Sequence, residues 1–362
     1  MKVWIVWLPN VGKSSLFNVL TKSYAADAQN FPFCTIEPNT WIVNVNDYRL
    51  EALQKAVNWI KIVPANVEFV DIAGIVEWAS KWEWLWNKFL ANIREADAIL
   101  QVVRVFEDSN VHHVSWNVNP RRDAEIINAE LILADLETLE KKMWENDKKA
   151  KSWDKEAKAK QEIYVRLKPH LESGNLAITL DLDEDEKLLL RDLYLLTFKP
   201  FIYACNVGET QMNLKEEDLR QILGINDASI QVMPISVKME LDMMEFSPED
   251  RKEYLESYWI TENPTDKLIK ECYDALGLQY YFTAWEIEVR AWTIKKWWKA
   301  PQAAWRIHTD FEKKFIKADV VNWQDLVENW WWSKAREHWK VKMEWKEYVV
   351  QDWDVMLFKF WG

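Results

Sequence analysis

Gly12, Lys13 and Ser14, preceded by Pro9, Asn10 and Val11 and followed by Ser15, have the types and order of a phosphate-binding loop. The full pattern is G-x-x-x-x-G-K-[ST] after a strand and before a helix. In it, backbone N–H groups from Asn10 to Ser15 turn into the loop, at a helix start whose dipole favours anions. Lys13 then bridges the β- and γ-phosphates, the Ser14 hydroxyl ligates Mg2+, and Gly12 lets the backbone approach the phosphate closely. Trp7 stands where the pattern has its first glycine. Gly-Lys-Ser alone occurs by chance; an apolar strand before it and an amphipathic helix after it give it weight.

Two further groups fit the same chemistry. Asp71-Ile72-Ala73-Gly74 matches D-x-x-G at the end of a second apolar run. There the carboxylate reaches Mg2+ through water, and the Gly74 N–H senses the γ-phosphate. Thr35, between the two motifs, is the candidate for a second Mg2+-ligating hydroxyl; a purely structural threonine is the alternative. The residue after Gly74 is Ile75, where a glutamine would orient the attacking water, so slow turnover is expected. His113 is the candidate to polarise that water, against the alternative of a surface-loop histidine.

Base recognition falls on Asn206-Val207-Gly208-Glu209. Guanine-specific sites carry N-K-x-D, whose Asp accepts from guanine N1–H and the exocyclic amine. Here the lysine is missing and glutamate replaces aspartate, so that paired readout is not expected. Asn206 and Val207 are the expected base contacts, with Glu209 beside them. Ser236, in Ser236-Val237-Lys238, is either part of a base-supporting loop or a plain strand end.

The elements that must position these groups are legible as apolar runs. Residues 3–8, 67–72, 98–105, 200–206 and 231–236 predict strands, and Ser14 to Thr21 predicts a helix with Leu16, Phe17 and Leu20 on one face. Strands separated by helical stretches imply an α/β fold with a mostly parallel sheet. Residues 122–195 are rich in charge, with an apolar stripe through Ile127, Leu131 and Leu139, and predict an inserted helical hairpin. Its lysines suit a solvated face, or alternatively a partner or RNA surface. From about residue 278, Tyr280 to Ile294 and Glu344 to Phe360 alternate like strands around a short helix within Ala300 to Lys317, predicting a compact α+β domain.

Composition narrows the class. The chain has 362 residues and a formal net charge of -12, which argues against general coating of nucleic acid but leaves room for a local basic face. Cys34, Cys205 and Cys272 are far apart and form no CxxC pair, which suits a reducing compartment and no zinc or disulfide framework. No apolar run approaches the roughly 18 residues of a membrane span. Met1 to Val6 leads straight into the first motif and predicts a strand, not a signal peptide.

One count is abnormal: 25 Trp against 7 Gly. Glycine ordinarily makes up about 7% of a chain. The tryptophans also fall where glycine chemistry is expected, as in the turn-like Gln351-Asp352-Trp353-Asp354, or in residues 81–87, where three of them have no amphipathic logic. The pattern implies that many replace glycines; a chain naturally rich in tryptophan is the alternative.

The peptide blocks Leu8 to Ser14, Asn30 to Asn39 and Asp71 to Gly74 resemble the YchF group, the Obg-like ATPases, within the phosphate-loop NTPases. The resemblance continues through Asn87 to Arg94, Val118-Asn119-Pro120, Gln302-Ala303-Ala304, Ile307 to Glu312 and Val350-Gln351-Asp352, and so spans the chain. Trp7, Trp41, Trp78, Trp82, Trp84, Trp86, Trp116, Trp285, Trp305 and Trp353 stand where that group has glycine. The resemblance implies a P-loop G domain over residues 1–121 and 196–277, a helical coiled-coil insertion over 122–195, and a C-terminal TGS domain over 278–362. It implies a cytoplasmic ATPase that prefers ATP, tolerates GTP, uses Mg2+ and belongs to the hydrophobic-substituted class. The implied partner is the ribosome or its large subunit, in the regulation of translation or stress. RNA at the cleft between helical and TGS parts is a candidate partner, and a monomer is expected. The competing expectations are a GTP-specific GTPase and a scaffold that no longer binds nucleotide because of Trp7 and its kind.

Overall fold

Short apolar runs rich in Val and Ile, buried on both faces, pack best as parallel strands covered by helices. Five strands between residues 2 and 235 do this. The structure, a computed structural model, describes residues 2–9, 11–24, 40–57, 61–71, 96–106, 118–150, 154–285 and 287–361. In chain order these hold β1 (Lys2–Trp7), α1 (Lys13–Tyr24), β2 (Thr40–Asn44), α2 (Tyr48–Val57), β3 (Lys61–Val63), β4 (Asn66–Asp71) and β5 (Ala98–Arg104). Next come α3 (Pro120–Ala150), α4 (Lys155–Glu172), α5 (Glu184–Leu190), β6 (Phe201–Asn206), α6 (Glu216–Leu223), β7 (Gln231–Ile235), α7 (Val237–Met243), α8 (Pro248–Ser257) and α9 (Pro264–Ala275). The C-terminal elements are β8 (Leu278–Ala284), β9 (Glu288–Lys295), α10 (Ala300–Ile307), α11 (Thr309–Lys313), β10 (Phe315–Asn322), α12 (Trp323–Glu328), α13 (Trp332–Glu337), β11 (Lys342–Glu344) and β12 (Asp354–Phe360).

One sheet has the order β2-β4-β1-β5-β6-β7. Its pairs β1–β4, β1–β5, β5–β6 and β6–β7 are all parallel. All five strands predicted from sequence are present within a residue or two of their expected bounds. The order reverses at β1, which puts a ligand crevice at the carboxyl ends of the central strands.

The predicted helical insertion is α3 and α4. Asn119 caps α3: its Oδ1 accepts from the Arg122 N–H at 3.1 Å, and Pro120 fills the first helical position. Asp154 caps α4 by accepting from Glu156 and Ala157. Buried Asp135 of α3 accepts from the backbone of Leu196 and Thr197 at 2.7 Å each, and from Thr197 Oγ1 at 2.6 Å. That fixes the hairpin to the segment returning to the sheet. Lys142, Lys160 and Lys168 pair with Glu145, Glu156 and Glu140, a mixed charged surface of small energetic weight.

The chain divides into two compact units. The first takes its described residues from Met1–Ser23, Glu37–Trp41 and Glu68–Ala275, the second from Tyr24–Ile36, Ile42–Val67 and Leu276–Gly362. The second unit therefore includes residues 42–67, which the sequence reading assigns to the first domain. The physical reason is strand pairing: β3 runs parallel to β9, Ile62 opposite Val289, at the edge of a sheet ordered β11-β10-β12-β8-β9-β3. Helix α10 closes this sheet's core, with Ala300, Ala303 and Ala304 against Tyr281, Ile294 and Phe358. The helix expected within Ala300 to Lys317 is present as α10 and α11, and strand β10 then begins at Phe315.

The backbone also bears on the tryptophans. Among the described residues, five non-glycine positions have positive φ, and four are Trp: Trp259 (59°), Trp297 (72°), Trp330 (59°) and Trp339 (59°). Trp259, Trp330 and Trp339 each follow a helix C-cap (Tyr258, Asn329 and His338), the position where a left-handed glycine commonly ends a helix.

Candidate phosphate and base site

The site is built on the carboxyl ends of the parallel strands. Strand β1 ends at Trp7, β4 at Asp71, β5 at Arg104, β6 at Asn206 and β7 at Ile235. Register brings neighbours together: Ile5 pairs with Asp71, Trp7 with Val102, and Arg104 with Asn206. The carboxyl edge therefore gathers the loop before α1, the D-x-x-G aspartate and both base-loop segments.

Helix α1 starts at Lys13, and the Leu16 N–H donates to Gly12 O at 3.0 Å. Its first turn holds no acidic residue, so the positive end of the dipole is not offset there. Gly12 has φ +96°, a conformation open to glycine, and a Cβ on it would lie 2.6 Å from Asn206 Nδ2. The Asn206 side chain thus packs directly against Gly12, and any side chain at Gly12 would collide with it. Val11 is buried, and Ser15 lies in the first turn of α1.

Trp7 is buried beneath this loop. Its ring meets Phe17 edge-on with centroids 6.2 Å apart, and Phe17 meets Trp41 at 4.3 Å. The Lys13 ammonium lies over the Trp7 ring, 4.3 Å from its centroid.

Asn206 joins the two halves of the site. Its Nδ2 donates to Val11 O at 2.8 Å, and its Oδ1 accepts from the Val237 N–H at 3.2 Å. Val207 N–H donates to Ile235 O at 2.9 Å, which holds the base segments side by side. Ser236 is fully buried and caps α7, accepting from Met239. Glu209 opens a short 3-10 turn, Glu209–Gln211. Its Oε1 accepts from Tyr254 Oη at 3.0 Å, and its Oε2 lies 3.3 Å from Lys238 Nζ. Burial and the neighbouring Glu209 carboxylate raise the Tyr254 pKa, so the phenol stays protonated and donates. The bond to Glu209 raises the Lys238 ammonium in turn. Cys205, inside β6, is buried and its thiol is pushed up to about 12, which leaves it unreactive.

Of the residues singled out in the sequence, Val11, Gly12, Lys13, Ser15, Asn206, Val207, Glu209 and Ser236 lie on this edge. Ser14 is placed by its helical backbone and Asp71 by its strand pairing. Asn10, Thr35, Gly74 and His113 lie outside the described residues. Sequence reasoning missed the Asn206 tie to Val11 and the Tyr254 contact with Glu209; no local pattern signals either.

A mostly parallel sheet with a Gly-Lys-Ser loop between its central strand and the first helix defines a phosphate-loop NTPase. Residues 2–168 match the family model described as "50S ribosome-binding GTPase". Residues 278–361 match the YchF-GTPase C-terminal model, described as "Protein of unknown function (DUF933)". The "Ribosome-binding ATPase YchF" of Bacillus subtilis is 47% identical, over 98% of this chain and 98% of that protein. The "Obg-like ATPase 1" of Xenopus laevis is 41% identical, over 99% of this chain and 92% of that protein. The structure of the Schizosaccharomyces pombe YchF GTPase superposes with a TM-score of 0.85 at 35% identity, covering 99% of this chain and 97% of that one. The chain belongs to the YchF family of Obg-like ATPases.

Proposed function

We propose that this chain is a slow, ATP-preferring nucleotide switch that associates with the ribosome through the large subunit. The observation that carries the nucleotide reading is Gly12 at positive φ before the start of α1 and Lys13, with Asn206 packed against it and tying the loop to the base segment through Val11 O. The names of the relatives support ATP hydrolysis and the ribosome as partner.

In this reading the N-terminal amides of α1 and Lys13 hold the phosphates, while Asn206 and Val207 line the base. Ser14, Thr35 and Asp71 are a hydroxyl and carboxylate set of the hard-oxygen kind that Mg2+ takes. Mg2+ would supply charge neutralisation at the β- and γ-phosphates. Gly74 would sense the γ-phosphate, and His113 would polarise the attacking water in place of the glutamine that Ile75 lacks. The protein acts as a monomer in the cytoplasm, with RNA contacted by its helical and C-terminal parts. Among the described residues no helix is long and apolar enough to cross a membrane.

The test is titration of ATP and GTP, with Mg2+, against full-length protein of verified mass, followed by sedimentation with large ribosomal subunits. Micromolar ATP binding, weaker GTP binding and co-sedimentation are expected. Equal or tighter GTP binding defeats the ATP preference, and no sedimentation defeats the ribosomal reading. A second reading, a scaffold that has lost nucleotide binding, is favoured by the Lys13 ammonium over Trp7. Absence of binding in the parent with binding in Trp7→Gly supports it.

A further inference from the structure

Resting on the nucleotide reading above, we infer that Tyr254 and Lys238 are positioning residues that hold the Glu209 carboxylate out of guanine readout and so set the base preference. Replacement of aspartate by glutamate does not by itself remove a guanine acceptor. Glutamate has the same carboxylate on an arm longer by one methylene, and a carboxylate free to swing can still accept from N1–H and the exocyclic amine of guanine. In this protein the arm is occupied. Tyr254 Oη donates to Oε1 at 3.0 Å, and Lys238 Nζ lies 3.3 Å from Oε2, so each oxygen has its own partner.

The two partners come from different elements, and each is held. Tyr254 sits on α8 within an edge-to-face aromatic row, with Phe246 on one side and Tyr258 on the other, each 5.3 Å away by ring centroid. Asn213 Nδ2 donates to Tyr258 O at 2.9 Å, fixing the end of α8 to the segment just after the Glu209 turn. Lys238 lies in the first turn of α7, whose start is set by buried Ser236. Guanine would have to displace both donors from Glu209 before it could offer its own. Adenine has no N1–H and asks nothing of this carboxylate. Discrimination then comes from an acceptor already satisfied, not from a missing one.

The test measures Kd for ATP and GTP, with Mg2+, in the full-length parent, Tyr254→Phe, Lys238→Met, the double variant, Glu209→Gln and Glu209→Gln/Tyr254→Phe. All are made in both the Trp7 and the Trp7→Gly backgrounds. Tyr254→Phe keeps the aromatic row, and Lys238 is exposed, so the folded chain is retained. Freeing the carboxylate is expected to tighten GTP binding by about tenfold relative to ATP in the double variant, the scale of a charge-assisted pair of hydrogen bonds. In the Glu209→Gln background, Tyr254→Phe is expected to leave the ratio unmoved, since there is no carboxylate to release. An unchanged ratio in the double variant overturns the inference. So does a shift of the same size with and without Glu209, because Tyr254 would then be acting on the base directly. If neither background binds ATP or GTP, the nucleotide reading itself fails and this inference falls with it. Binding of both nucleotides with an unmoved ratio removes only the inference.

Discussion

The ammonium of Lys13 lies over the indole of Trp7, 4.3 Å from the ring centroid. Phe17 stands further off, 5.9 Å from the same nitrogen. A cation over a desolvated tryptophan gains about 2 kcal/mol, and Trp7 is buried. A Lys13 drawn off the ring towards a phosphate would lose that contact. Trp7→Gly is therefore expected to tighten ATP binding by about tenfold or more. A thermal melt alongside the titration separates this gain from any loss of packing against Phe17. Equal affinity in the two proteins would show that the ring does not compete.

Asn206 bridges Val11 and Val237, so its removal leaves a buried carbonyl and a buried amide without partners. Asn206→Ala is expected to cost about 2–6 kcal/mol of stability, from about 1–3 for each of the two orphaned groups, and to weaken ATP binding as the loop loses its tie. Gly12→Ala is expected to abolish binding, because its Cβ would sit 2.6 Å from Asn206 Nδ2 on a backbone at φ +96°. The double variant removes the clash but not the backbone strain. Titration should therefore find it no better than Asn206→Ala; full recovery would mean that sterics alone require the glycine.

The strands that carry the site were readable because each is a short apolar run bounded by turn residues, as at Trp7-Leu8-Pro9 and Asn206-Val207-Gly208. The contacts that join them were not. Asn206 and Val11 are 195 residues apart, and Tyr254 and Glu209 are 45 apart, and neither separation leaves a periodic trace. Strand β3, only three residues long, pairs with β9 more than 220 residues later. Its membership in the C-terminal unit is a tertiary choice that local composition does not encode. The glycine deficit, by contrast, was legible from counts alone. Backbone angles at Trp259, Trp297, Trp330 and Trp339 give it a physical form.

Asp354 is buried at the start of β12, where its Oδ2 accepts from Tyr348 Oη at 2.8 Å and from Gln351 N–H at 2.9 Å. Burial outweighs those bonds and pushes its carboxyl up to about 6. A carboxyl whose folded pKa is raised stabilises the fold below its unfolded pKa of about 4, and loses that contribution as pH rises through 6. The loss amounts to roughly 3 kcal/mol between pH 4 and pH 7 at most. Asp354→Asn keeps an acceptor for Tyr348 and Gln351 without the charge. Urea unfolding of the variant should be more favourable to the fold than the parent at pH 8 and flatter between pH 4 and 7. A parallel pair of pH profiles would remove Asp354 as the cause.

Trp259, Trp297 and Trp339 hold left-handed φ with their indoles largely in solvent. A side chain in that region costs about 1–2 kcal/mol relative to glycine, and these rings recover little of it by packing. Glycine in turn costs about 0.5–1 kcal/mol through the freer unfolded chain. Each of Trp259→Gly, Trp297→Gly and Trp339→Gly is therefore expected to stabilise the protein by about 0.5–1 kcal/mol, read as a higher urea midpoint at unchanged slope. Trp144 is the control. It is also exposed, though less so than these, and lies inside α3 on helical backbone, where glycine should destabilise by roughly 0.5 kcal/mol. Opposite signs at the two kinds of position identify the backbone angle as the cause. The same sign at all four would place the effect in the loss of an exposed indole, whatever the backbone beneath it.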